Sequence, residues 1–358
     1  MSIYISTITF FREEYTLLFF ILFLLVFFSC FNKNKYINNS ATIFISIVYG
    51  LVVGLRDINI GADTVNYHNI FIENKIIPGD VFFSIFTKFT HFFLTSPSEF
   101  ITLLSLIFYM LLGLFCIKKS NSLGNSLILF FGFISVVYMY EVATNVIRQG
   151  ISIVIILFSL LYLKNNKVKY FLVVLLSMLI HLSSVLFAIT TLIAKKTKIK
   201  TVIFFYIITL ILYIFNISLV SILNIIFNYI PMMKNIDPRI AFWGSGDALG
   251  YYRIIKSGIS GYIIINTFFM ISYYFIQRKY PLLFENNFIV RLFILLSSLL
   301  VLSADFPFPD RIGILSWFLI PLIFEPMLRK SIKTKFAYVL FMTIFFFLWA
   351  LIRSYYQI

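Results

Sequence analysis

The sequence predicts an all-α protein, a polytopic bundle of transmembrane helices forming one integral membrane domain over residues 1–358. Three observations carry this. Hydrophobic residues make up 61% of the chain and charged residues 12%, with a mean hydropathy of +0.98, more apolar surface than a soluble domain can bury. The apolar residues fall in runs long enough to cross about 30 Å of hydrocarbon, which takes roughly 20 helical residues. The basic residues, which give a formal net charge of +15, sit in short clusters between those runs. That pattern sets membrane topology and is not one that grips nucleic acid.

Ten runs read as full spans: 15–31, 40–55, 98–117, 124–140, 146–163, 201–223, 257–277, 287–304, 311–328 and 336–352. The first could pass for a secretion signal, but Glu13 and Glu14 precede it and no small-residue cleavage site follows, so it reads as a retained helix. Cys30 and Cys116 close apolar runs, with no CxxC or disulfide framework around them. Residues 81–94 are short and carry Lys88 and His91, which suits a helix lying in the interface. Residues 170–194 have lysines on both sides, at 164, 167 and 169 and at 195, 196, 198 and 200. Lysine-rich short loops stay cytoplasmic. A re-entrant hairpin turning near "HLSS" (181–184) keeps both clusters inside, with both termini outside; a tilted single span is the alternative. Either way His181 lies near the middle of the membrane depth, where an ionisable group is costly and faces a cavity.

This topology sorts the cations by type. Fifteen of the 19 lysines fall inside, whereas seven of the ten arginines face out: Arg12, Arg56, Arg148, Arg239, Arg253, Arg311 and Arg353. Lysine suffices to set topology, so outward arginines need another reason. Their planar fork grips phosphate bidentately and keeps its charge, which points to an anionic substrate at the outer leaflet.

Four constellations then stand out on the outer side. "GLRDINIGADTVNYHNIF" (54–71) follows the second span, with Gly61 allowing a tight turn and Asp63–Thr64 reading as the cap of a short helix through Tyr67. "TNVIRQG" (144–150) opens a span with Arg148 and Gln149, and Glu141 lies just upstream. The long loop 228–256 carries Trp243, Asp247, Tyr252 and Arg253, the aromatic and carboxylate surface a sugar would use. "SADFPFPDRIG" (303–313) starts a span at Asp310–Arg311, prolines barring helix before it. The loops 56–80, 228–256 and 304–311 together form the expected active-site face.

The order R-x(4)-G-x-D-x(3)-Y over 56–67, then "IRQ" at 147–149, then "IHLSS" at 180–184, resembles the EpsG/Wzy family of polysaccharide polymerases. The last element departs mildly from the family's F-H-x-S-A, keeping the histidine and one serine. The resemblance covers roughly residues 50–190. It implies a GT-C-like membrane glycosyltransferase (an O-antigen or exopolysaccharide polymerase) facing the outside of a bacterial cytoplasmic membrane. Such an enzyme moves a growing glycan from undecaprenyl pyrophosphate to the non-reducing sugar of the next lipid-linked repeat unit, with a chain-length regulator as a further partner. The reaction needs a held pyrophosphate and a base for the acceptor hydroxyl. Arg56, Arg148, Arg253 and Arg311 are the candidates for the first. Asp63 and His181, with Glu141 behind them, are the candidates for the second, and the sequence does not choose. Tyr67, Gln149, Trp243, Asp247 and Tyr252 are the expected sugar contacts. No cofactor is called for. No DxD pair or His/Cys/Glu cluster with metal-ligand spacing lies in an outer loop, so arginines take the place of a divalent ion in this reading. A ligase using the same donor, and a flippase of lipid-linked sugars, are the competing functions; no internal repeat or paired broken helices favour the flippase.

Overall fold

Several of the described helices begin where a side chain satisfies their first N–H groups. The computed structural model describes residues 2–32, 34–61, 63–74, 81–120, 124–136, 138–217, 261–284, 287–304 and 309–356, and among these no strand occurs. In the first of two compact units, residues 1–188 and 324–358, α1 is Ser2–Phe31 and α2 is Lys35–Gly54. Asn34 caps α2 by accepting from the N–H groups of Tyr36 and Ile37. A short α3 (Thr64–Glu73) and α4 (Val81–Thr90) follow. α5 (Pro97–Lys119) opens with a complete capping box, Ser96 and Glu99 bonding each other's backbone with proline in the first turn. Next come α6 (Ser126–Ser135), α7 (Tyr138–Asn145), α8 (Ile147–Tyr162), α9 (Lys167–Ile180) and α10 (Ser184–Lys196). α10 runs into the second unit, residues 189–323. There α11 (Ile199–Ile214), α12 (Gly261–Lys279), α13 (Phe288–Leu302), α14 (Asp310–Trp317) and α15 (Ile320–Phe324) follow. The 3-10 turn Glu325–Arg329 and α16 (Ile332–Tyr356) return to the first unit.

The first unit is built around the α2–α5 pair. "GLVVG" at 50–54 is a GxxxG stripe, and its lack of side chains lets α5 approach. A Cβ on Gly50 would lie 2.9 Å from the Leu106 Cα, and one on Gly54 2.6 Å from the Thr102 Cα. α6 is buried on every side, as an all-apolar helix must be, among α1, α2, α5 and α16. α8 lies on α5, and α9 along α8.

The polar ends of this unit differ in kind. α2 leaves from Lys35 and arrives beside Arg56; α5 returns along it to Lys118 and Lys119. At the lysine end Asn38 donates to the Gly124 carbonyl at 2.6 Å and Asn125 to that of Leu328 at 2.9 Å. There too, buried Glu325 accepts from Arg329 at 2.8 Å and stands 3.9 Å from the Lys119 ammonium. α8 begins at Ile147–Arg148 and descends to the Lys164–Lys169 loop, from which α9 climbs back. Apart from Lys88 on α4, the described lysines of this unit thus gather at one end, and Arg56 and Arg148 lie at the other.

The second unit is pinned by a buried amide. Asn266 of α12 donates to Ser297 of α13 at 2.9 Å and to Ser316 of α14 at 3.3 Å, and accepts from the Trp317 indole at 2.8 Å. All four groups are buried. A network with every member satisfied ties three helices in one register.

Two expectations change. By length and composition four described segments can cross a membrane, 13–31, 35–54, 97–119 and 310–329, or five if a bent pair counts as one. The run 124–140 is that pair, helices 126–135 and 139–145 meeting at 74°, and α8, α11 and α13 are apolar but only 15–16 residues long. Hydropathy registers an apolar run and is blind to a break inside it, so the run 124–140 is not one straight helix. α1 also extends beyond its apolar run through Glu13 and Glu14, both residues that favour helix.

The break at residues 181–183 falls where the turn was expected. The hydroxyls of Ser177 and Ser184 meet at 2.6 Å, whereas a continuous helix holds residues seven apart at about 10 Å. The chain therefore turns there. α9 itself packs along α8 and α4.

Candidate active site

The loop after α2 is folded onto α7 and α8 by its glycine. Gly61 has φ +90, and a Cβ there would sit 2.7 Å from the Thr144 carbonyl oxygen and 2.9 Å from the Asn145 Oδ1. Only glycine fits both the left-handed backbone and the close approach. Thr64 then buries its hydroxyl against the Ile60 carbonyl at 2.6 Å and reaches that of Thr144 at 3.4 Å. Asp63 stands in the capping position of α3 but makes no cap bond with its side chain; its carboxylate accepts from the Asn66 amide at 3.2 Å.

Arg56 is buried, 7% exposed. Its Nε donates to Thr64 Oγ1 at 3.0 Å, and its Nη1 to the Val53 carbonyl at 2.8 Å and to Ser105 Oγ at 3.3 Å. Its Nη2 is buried and has no partner. One turn deeper lie Tyr49, four residues before Val53 on α2, and Tyr109, four after Ser105 on α5. Tyr15 of α1 packs against Tyr49 and Tyr140 with ring centroids 5.5 and 5.2 Å apart. The hydroxyls of Tyr15, Tyr49 and Tyr109 are buried; those of Tyr15 and Tyr109 interact with each other, and that of Tyr49 has no hydrogen-bond partner. A buried orphan such as the Arg56 Nη2 or the Tyr49 hydroxyl costs about 1–3 kcal/mol.

Arg148 is held in an aromatic bracket. Its guanidinium carbon lies 4.8 Å from the Phe83 ring centre and 5.7 Å from that of Tyr67, and its Nε donates to the Tyr67 hydroxyl at 3.4 Å. Tyr67 is buried on α3; burial pushes its phenol up and the neighbouring Arg148 charge draws it partly back. Cation–π contacts of this sort contribute about 0.5–2 kcal/mol each and fix the plane of the fork. Glu141, half-buried on α7, accepts from the Asn145 amide. Gln149 is buried beside Arg148.

One turn along α8 from Arg148, Ser152 donates to the Ser177 carbonyl at 3.0 Å and lies 3.4 Å from that of His181. His181 ends α9 and its Nδ1 is 2.8 Å from Ser183 Oγ. Its carbonyl thus lies one turn along α8 from Arg148. Arg56, Asp63, Tyr67, Glu141, Arg148, Gln149 and His181 therefore come together at one end of the first unit. Arg311 is exposed at the start of α14 in the second unit. Trp243, Asp247, Tyr252 and Arg253 lie outside the described residues. Among the described residues no group of three or more His, Cys, Asp or Glu is placed to hold a metal ion.

Sequence reasoning missed Phe83, Ser105, Thr144 and Asn145. For Phe83 a signal existed: Phe83, Ser84, Thr87 and Thr90 recur at helical spacing and are the buried face of α4. For Ser105 none did, since a serine inside an apolar span is chosen by an arginine 49 residues away.

Comparison with curated proteins and with solved structures gives no match. The model of the EpsG family matches residues 41–358, from within α2 to the last residue and across every motif that converges at the arginine end; the chain belongs to the EpsG family.

Proposed function

We propose that the chain is a membrane polysaccharide polymerase that transfers a growing glycan from a polyprenyl pyrophosphate carrier to the next lipid-linked repeat unit at the outer face of a bacterial cytoplasmic membrane. The observation that carries this is the bracketed Arg148, a planar cation fixed by Phe83 and Tyr67 at the same end of the unit as Asp63, Glu141 and His181. An immobilised guanidinium aimed where a leaving pyrophosphate gains charge stabilises the transition state without reorganising. Arg56 with its orphan Nη2, Arg253 and Arg311 are proposed to share that charge, and Tyr67, Gln149, Trp243, Asp247 and Tyr252 to contact sugar. Deleting the gene and inspecting the surface glycan tests the reading. Single repeat units left on the lipid carrier are expected. Long unattached chains would mean a ligase, and accumulation on the cytoplasmic side a flippase.

Two predictions follow from the orientation and from the role given to arginine. With Cys30 and Cys116 buried, a cysteine placed at exposed Asn66 should react with an impermeant thiol reagent in intact cells, and one at Asn166 should not. The reverse pattern would turn the site to the cytoplasm. Polymerisation by the purified protein is expected to survive EDTA. Loss of activity restored by magnesium or manganese would take the leaving group's charge away from the arginines.

A further inference from the structure

His181 is a candidate base in the proposed reaction, and its own surroundings decide what it can do there. The residue leaves α9 in an extended conformation (φ −156, ψ 127) while its N–H still bonds the Ser177 carbonyl at 3.1 Å. The chain then turns so that the peptide N–H of Ser183 points at the imidazole Nδ1, 3.3 Å away, with the Ser183 hydroxyl at 2.8 Å from the same nitrogen. A hydroxyl can give or take a hydrogen bond, but a peptide N–H can only give. Nδ1 therefore presents its lone pair, and the single proton of the neutral ring resides on Nε2.

A histidine that removes a proton through Nε2 needs the opposite arrangement, Nδ1–H held by an acceptor such as a carboxylate. Here the partner of Nδ1 is a donor of the chain's own backbone, and the one lone pair that could take a proton is turned into the 181–183 turn. We infer that His181 is a hydrogen-bond donor through Nε2–H, directed at an anionic phosphate oxygen of the carrier, and that the base is a carboxylate. This rests on the polymerase reading above. In the transfer, the acceptor hydroxyl oxygen forms its bond to the donor's anomeric carbon and its proton passes to Asp63 or Glu141. The bond from that carbon to the pyrophosphate oxygen breaks, the electron pair leaving with the pyrophosphate, whose charge Arg148 and the His181 N–H stabilise.

The test pairs a spectroscopic and a functional readout. The chain has three histidines, so ¹⁵N-histidine labelling of the detergent-solubilised full chain, with His181→Gln to assign the signal, reports the tautomer at a pH where the ring is neutral. The Nε2–H form is expected at His181; a dominant Nδ1–H form overturns the inference. Glutamine places an amide N–H near the position of Nε2 but cannot take up a proton. His181→Gln is therefore expected to keep polymer formation within about tenfold of the parent, while His181→Ala falls about a hundredfold or more. Glutamine as inactive as alanine, with both proteins at normal membrane levels, overturns the donor role. A parent chain that makes no polymer would sink the proposed activity instead, leaving the tautomer measurable.

Discussion

Arg148→Lys is expected to fold, reach the membrane at normal levels, and make polymer about a hundredfold to a thousandfold more slowly, the loss typical of removing one fixed oxyanion donor. The charge is kept, so a mere helix-end anchor would tolerate the change, since a lysine stem and ammonium do that work equally well. What lysine cannot keep is the plane. The Arg148 fork is stacked over Phe83 at 4.8 Å and tied through Nε to the Tyr67 hydroxyl, and an ammonium has neither a face to stack nor parallel N–H groups to offer two phosphate oxygens. Chain-length analysis of the surface glycan is the measurement. Near-normal chains from the lysine variant would remove Arg148 from the site.

Gly61→Ala should be the most damaging small change in the motif loop. The substitution places a side chain at φ +90, which costs about 1–2 kcal/mol by itself, and sets its Cβ 2.7 Å from the Thr144 carbonyl oxygen. Backbone cannot rotate away as a flexible side chain can, so the loop must lift from α7. Arg56, Asp63 and Tyr67 would move with it, and polymer should fall at least tenfold, with valine worse than alanine. Gly124→Ala is the control. Gly124 also has a positive φ, +61, but lies at the lysine end, so it should lower thermal stability by a similar amount and spare polymer formation. Equal loss of polymer from both variants would mean that the glycine acts through stability alone.

How much of this was legible in the sequence differs by feature. The helical membrane class was, because transfer of apolar side chains from water dominates the energetics and can be summed residue by residue. The convergence of the motifs was legible only as resemblance: Arg56, Asp63, Tyr67, Arg148 and His181 stand in a familiar order, but order carries no distance. The breaks in the runs 124–140 and 170–194 were partly legible. The second announces itself with "HLSS", whereas the first lies in an unbroken apolar stretch that hydropathy reads as one span.

The sequence alone therefore determined that this chain is a helical membrane protein, since that follows from summed properties of residues. Only the tertiary structure decided that Gly61 seats its loop on Thr144, that Phe83 and Tyr67 fix the Arg148 plane, that Ser105 receives Arg56 in the interior, and that Nδ1 of His181 faces a donor. Each of these is a contact or direction set by elements folding against one another, and hydrogen bonds and stacking depend on angles that no composition or spacing encodes.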